Sequence, residues 1–122
     1  EAEMVSLINQ ERAKAGLPDL QVDPTLEQLA ETKSRDMVRF NYFGHSSERF
    51  GTVYDQLEHA GVKYQIVAEN LIGASSCIKA LQSENQSPAH RSNLLNPNFT
   101  RIGVGVVRGG PYGLMITQIL IR

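Results

Sequence analysis

The sequence predicts an α+β domain in which helices pack on a mainly antiparallel sheet. Three observations carry this expectation. Helical periodicities come mostly first in the chain and strand patterns mostly last, an order that favours helices stacked on an antiparallel sheet over a doubly wound parallel one. The last two strand patterns flank Arg108-Gly109-Gly110-Pro111, which is turn chemistry, so they are expected to pair as a hairpin. Both strands contain long apolar runs, so the sheet is expected to be covered on both faces.

The elements follow in order. From Ala2 to Ala15 the apolar positions Val5, Leu7, Ile8 and Ala15 mark a short amphipathic helix, ended by Gly16 and Pro18. Leu20 and Val22 lead into Asp23-Pro24, a helix start with Asp as N-cap and Pro at the first helical position. In the second helix Leu26, Leu29, Ala30, Lys33, Met37 and Phe40 recur at intervals of three and four. All but Lys33 are apolar, so this face is expected to meet a core. Thr32, Arg35, Asp36 and Arg39 are assigned to the wet face, and the helix ends near Asn41.

A polar and aromatic loop spans 41–51. Thr52 and Asp55 resemble a capping box for a helix that buries Val53, Leu57 and Ala60 and stops at Gly61. Lys63 to Val67 reads as a strand leading into Ala68-Glu69-Asn70-Leu71. Ser75 or Ser76 opens a helix reaching about Gln86, and Ser87-Pro88 interrupts it, because proline disfavours a helical residue before it. Ala89 to Leu95 makes one further turn. Ile102–Val107 and Leu114–Ile121 are the two strong strands. Gly103 and Gly105, inside the first of them, point to close packing or a bulge.

The 122 residues suit one domain, and 41% hydrophobic content is enough for one core. Twelve basic and 13 acidic residues leave a net charge of -1, with no basic run. A nucleic-acid partner is therefore not expected. No stretch approaches the roughly 20 apolar residues of a membrane span. Cys77 is the one cysteine, which rules out an intrachain disulfide and reads as a buried thiol. Glu1 starts inside an amphipathic pattern, so the chain is expected to be a piece of a longer exported protein.

Three histidines and a carboxylate carry the chemical interest. His59 sits near a helix end, where an imidazole favours the C-terminal dipole. His45 and His90 lie in loops or at helix edges among small polar residues, the setting in which sites concentrate. Glu69 follows an apolar strand, and a carboxylate there needs a partner because an isolated buried charge is costly. That partner is a structural ion pair, a set of backbone amides or, equally well, a histidine. Two histidines and a carboxylate from separate segments can also hold a divalent cation. No His-Glu-x-x-His, paired cysteine, Gly-x-Ser-x-Gly elbow or phosphate loop is present.

Read in order, these segments resemble the CAP superfamily: the cysteine-rich secretory, antigen 5 and pathogenesis-related 1 proteins, also called the SCP domain, in a bacterial form. Leu7-Ile8-Asn9-Gln10-Glu11-Arg12 is similar to the family's first helix, and Asp23-Pro24-Thr25-Leu26 to its second. Tyr42-Phe43-Gly44-His45-Ser46 is similar to the first histidine motif, and Ala68-Glu69-Asn70-Leu71 to the Glu-Asn motif. Ser87 to Leu95 resembles the second histidine motif, with Asn96-Pro97-Asn98-Phe99-Thr100, Ile102 to Val106 and Thr117-Gln118 completing the pattern.

The resemblance implies a three-layer α-β-α sandwich over residues 1–122, with a large cleft in which His45, Glu69 and His90 match three of four family positions. The fourth, acidic position falls near Ser87, and Glu84, three residues earlier, is its substitute. Asn70 joins the cleft set. Zinc or another divalent cation on His45 and His90 is the implied cofactor.

The resulting expectation is an extracellular or cell-surface binding module, with a cell-wall, lipid or protein ligand. The alternative is a metal-dependent hydrolase of peptide or wall substrates, with Glu69 or Glu84 as general base. The lack of a recognisable nucleophile favours the module over an enzyme.

Overall fold

A computed structural model describes residues 1–122. Its elements are α1 (Ala2–Lys14), β1 (Gln21–Val22), α2 (Pro24–Arg39), α3 (Val53–His59), β2 (Val67–Ala74), α4 (Cys77–Asn85), α5 (Pro88–Leu94), β3 (Arg101–Arg108) and β4 (Leu114–Ile121). The strands form one sheet in the order β1-β3-β4-β2. β3 and β4 are the expected hairpin, and β2 pairs antiparallel with the other side of β4. The sheet is mixed, because β1 runs parallel to β3 through Gln21 and Val22. The fold class is α+β, as the sequence predicts.

Helices cover both faces. Ile102 and Val104 of β3, with Ile116 and Leu120 of β4, pack with Met4 and Ile8 of α1 and with Cys77 and Ala80 of α4. The alternate residues of β4, Ile119 and Ile121, pack with Leu26 and Ala30 of α2 and Val53 and Leu57 of α3. Met37, Leu71 and Met115 extend that second core. This is the period-two alternation of a strand buried on both sides.

Gly103 and Gly105 let α2 lie directly on β3. A Cβ at Gly103 would overlap the backbone of Leu26 and Glu27, and one at Gly105 the backbone of Ala30 and Glu31. Close packing, not a bulge, is the reason for both glycines.

The helix signals hold in detail. Asp23 caps α2 by accepting from the Thr25 and Leu26 amides, and Thr52 with Asp55 forms a complete capping box on α3. Ser76 caps α4. Asn41, at φ 54°, turns the chain out of α2 in the left-handed conformation that asparagine tolerates.

Three local expectations are corrected. The strand begins at Val67 and runs to Ala74, so Glu69 and Asn70 lie inside it; Lys63 to Ile66 only approaches the end of β4 through bonds between Gln65, Ile66 and Arg122. Ala60 is exposed, because it is the C-cap of α3. Asp36 is buried, because side chains of the following loop close over it.

Candidate functional site

The site lies at the edge of the sheet, where β2 is the outermost strand. Successive residues of a strand face opposite ways, so Glu69 and Asn70 look into different layers. Glu69 faces the α2 side, where the 41–51 loop delivers His45. Asn70 faces the α4–α5 side, where α5 delivers His90.

His45 Nδ1 lies 2.8 Å from Glu69 Oε1. The Glu69 side chain is 3% exposed and that of His45 is 67% exposed. A buried carboxylate thus holds a surface imidazole. An ionised carboxylate only accepts, so Nδ1 donates and Nε2 keeps its lone pair. Burial raises the Glu69 pKa, against the hydrogen bond from His45 and the charges of Lys33 and His45. Oε2 of Glu69 is buried with no hydrogen-bond partner. His45 and Glu69 line a hollow of about 270 Å³ with Thr52, Val53, Tyr54 and Val67.

His90 approaches the same edge from the other layer. Its Nδ1 lies 2.9 Å from Ser87 Oγ, one helical turn earlier. Burial lowers its pKa, and the charge of His45 adds to the shift. The two imidazoles are therefore within electrostatic reach of each other. His90 and Ser87 lie outside the 270 Å³ hollow.

Asn70 and Glu84 do not line the cleft; they are 1% and 0% exposed. Asn70 Nδ2 donates to Glu84 Oε2 at 3.3 Å, to the His90 carbonyl at 3.3 Å and to Gln118 Oε1 at 3.1 Å. Its Oδ1 accepts from Asn93 at 2.8 Å. Gln118 Nε2 donates to Glu84 Oε1 at 2.9 Å. Burial pushes Glu84 up to about 7, against these two amide hydrogen bonds. Asn70 is thus the hub of a buried amide network: it fastens α5 to β2, and with Gln118 it ties Glu84 of α4 to the sheet. Three-residue spacing from Ser87 did not bring Glu84 to the surface, because α4 turns this face toward the sheet.

A second network, which sequence reasoning missed, supports the His45 loop. Asp36 of α2 accepts from Tyr42, from Ser47 at 2.7 Å and from Arg49 at 2.5 Å. Burial opposes ionisation of Asp36, but the hydrogen bonds from Arg49, Tyr42 and Ser47 prevail and hold its pKa at about 2. Lys33, 1% exposed, donates to the Tyr42 hydroxyl at 3.2 Å and lies over its ring. Burial lowers its pKa, while Glu69 and Asp36 oppose that shift. The one polar position on the apolar stripe of α2 was the available signal for this network.

A divalent cation fits the cleft only in part. Each imidazole is oriented through Nδ1, which leaves two Nε2 atoms as ligands, with Glu69 and Ser87 as the groups behind them. The donor atoms of His45, Glu69 and His90 do not all lie within 4.8 Å of one another; only Glu1, Glu27 and Glu31 do so. The three side chains therefore do not close as a set on one ion.

The family model of the cysteine-rich secretory proteins, CAP, matches residues 5–120. The chain is 42% identical over 111 residues to the Bacillus subtilis protein YkwD, covering 90% of this chain and 43% of that one. It superposes with a TM-score of 0.90 on an extracellular SCP-domain protein of Bacillus anthracis, at 37% identity, covering 99% of this chain and 39% of the other. An outer surface protein of Borrelia burgdorferi shares the fold, with a TM-score of 0.88 at 20% identity, over 99% of this chain and 90% of that one. The chain spans less than half the length of the Bacillus relatives.

Proposed function

This chain belongs to the CAP family of cysteine-rich secretory proteins, and from that premise we propose that it is a binding module acting outside the cytoplasm. Its cleft presents His45 and His90 to a cell-wall, lipid or protein ligand, and these two imidazoles hold a divalent cation such as zinc. The observation that carries the reading is the 2.8 Å contact between an exposed imidazole and a buried carboxylate 24 residues away. Glu69 fixes the ring of an exposed histidine through Nδ1, which leaves its Nε2 available to a ligand. The extracellular setting is supported by relatives described as an extracellular protein and an outer surface protein.

When bound, the cation would supply Lewis acidity and a ligand-exchange position. The chain's own residues do the orienting. Glu69 fixes the ring of His45, and Ser87 that of His90. Of the two candidate bases for a hydrolytic role, Glu84 is fully buried among amides, and Glu69 is engaged by His45.

Calorimetric titration with zinc tests this. One ion per chain is expected for the unaltered domain, and none for His45→Ala or His90→Ala. Glu69→Gln should weaken binding by roughly 10–100-fold, the usual effect of losing a group behind a metal ligand. The ligand imidazoles must be neutral to bind, so affinity should fall as the solution is acidified. A folded domain that binds no divalent ion would remove the cation from the proposal. Turnover of peptide or wall substrates that vanishes in His45→Ala would replace the module with a hydrolase.

A further inference from the structure

We propose that Lys33 is a positioning residue for the cleft: its buried ammonium stands between the loop that carries His45 and the carboxylate that receives it, and holds Glu69 in the pose that fixes the imidazole. The inference rests on the reading of His45 as a ligand-binding group and adds a residue that no motif around the histidines contains.

Three elements place Lys33 there. On α2 it lies between Ala30 and Met37, which belong to different apolar clusters of the same layer. On β2, Glu69 lies between Val67, packed on the first of those clusters, and Leu71, a member of the second. On β4, the buried Thr117 separates Ile119 from Met115 in the same way, and it meets Ser34 of α2 at 2.7 Å. A polar stratum thus crosses an otherwise apolar layer, and Lys33 and Glu69 are its two charged members.

Both are short of partners. Lys33 is 1% exposed, and its ammonium, with three N–H donors, makes one hydrogen bond, to the Tyr42 hydroxyl at 3.2 Å. Glu69 Oε1 accepts from His45, whereas Oε2 is buried with no hydrogen-bond partner. No direct salt bridge joins the two groups, but each charge offsets part of the cost of burying the other. Tyr42 carries the hold into the loop: it donates to Asp36, which also accepts from Ser47 and Arg49, and His45 lies between Tyr42 and Ser47 in the chain. Lys33 therefore grips the His45 loop on one side and acts on Glu69 on the other.

The test is the tautomer of His45, read from its ring nitrogen shifts by NMR on the metal-free domain in alkaline solution. The unaltered domain should show Nδ1 protonated and Nε2 bare. Lys33→Met, the kind of apolar replacement that buried charges often tolerate without loss of stability, should move the ring to a mixture of both tautomers. It should also weaken zinc binding roughly tenfold, the low end for losing a group behind a metal ligand. Lys33→Arg, which keeps the charge, should recover part of both effects, and in a Glu69→Gln background Lys33→Met should add nothing further. If Lys33→Met fails to fold, the Lys33 Nζ signal decides instead: Glu69→Gln should shift it. An unmoved tautomer in folded Lys33→Met, or an unmoved Nζ signal in Glu69→Gln, would overturn the proposal and leave Lys33 as a support of the Asp36 network alone. Because the tautomer is read without metal, a domain that binds no zinc would sink the cation and leave this result standing.

Discussion

Glu84 and Asp36 are both buried carboxylates, and their environments push them in opposite directions. Glu84 has only amide donors around it, and burial raises it to about 7. In the unfolded chain it titrates near 4.5, so between about pH 4.5 and 7 the folded state binds more protons. Stability must fall as pH rises through that window. At a pK unit per 1.36 kcal/mol the loss is at most about 3 kcal/mol. Glu84→Gln should abolish this pH-dependent part, which denaturation midpoints at pH 5 and pH 8 would show as a difference between variant and parent.

Asp36, at about 2 against an ordinary 3.8, has the reverse sign. Its contribution, about 2 kcal/mol, is complete above pH 3.8 and is lost as pH falls toward 2. Asp36→Asn should therefore lower stability at neutral pH and flatten the acid limb of the same measurement. The sequence made Glu69, His45 and His90 legible because a carboxylate beside an apolar strand and histidines in polar loops stand out locally. It could not rank Asn70 and Glu84, since their burial is decided by Gln118 and Asn93, far away in the chain.

Among the elements, α2 on β3 shows best what a pattern can and cannot reveal. The apolar stripe of α2 was readable, including the presence of Lys33 within it, and so was the close approach implied by Gly103 and Gly105. What escaped was the inward turn of Asp36, because its three partners come from a loop whose course no periodicity encodes. β1 escaped for another reason: two residues carry no alternation to detect. The glycine pair gives this layer its tolerance limit. Gly105→Ala places a methyl against the backbone of Ala30 and Glu31, and neither a helix backbone nor a central strand can step aside alone. Overpacking of this kind costs about 1–3 kcal/mol. A loss in that range, with an unchanged denaturant slope, is expected from urea titration. A neutral result would mean that α2 can slide on the sheet, and the His45 loop with it.

Across the whole molecule, two layers reach around one sheet edge, His45 from the α2 side and His90 from the α5 side. The second of these depends on where α5 ends, and Arg12 fixes that. Its side chain is fully buried and makes no ion pair, with Asp19 acting on it only at a distance. Nε donates to the Pro18 carbonyl at 2.9 Å; Nη1 donates to Leu94 at 2.8 Å and Asn96 at 3.1 Å; Nη2 reaches Phe99 at 3.5 Å. The first helix is thereby tied to the end of α5 and to the turn that enters β3.

Burial lowers the Arg12 pKa, yet a guanidinium stays charged, so the carbonyls hold a real cation. An orphaned buried carbonyl costs about 1–3 kcal/mol. Arg12→Met leaves several at once and should destabilise the domain by about 3–5 kcal/mol. Arg12→Lys, whose single ammonium cannot span the same fork of acceptors, should recover only part of that. Chemical denaturation of both variants measures the tie directly. If Arg12→Met cost less than about 1 kcal/mol, α5 would be held by the bonds of Asn70 to His90 and Asn93, and Asn70→Ala should then loosen His90 where Arg12→Met does not.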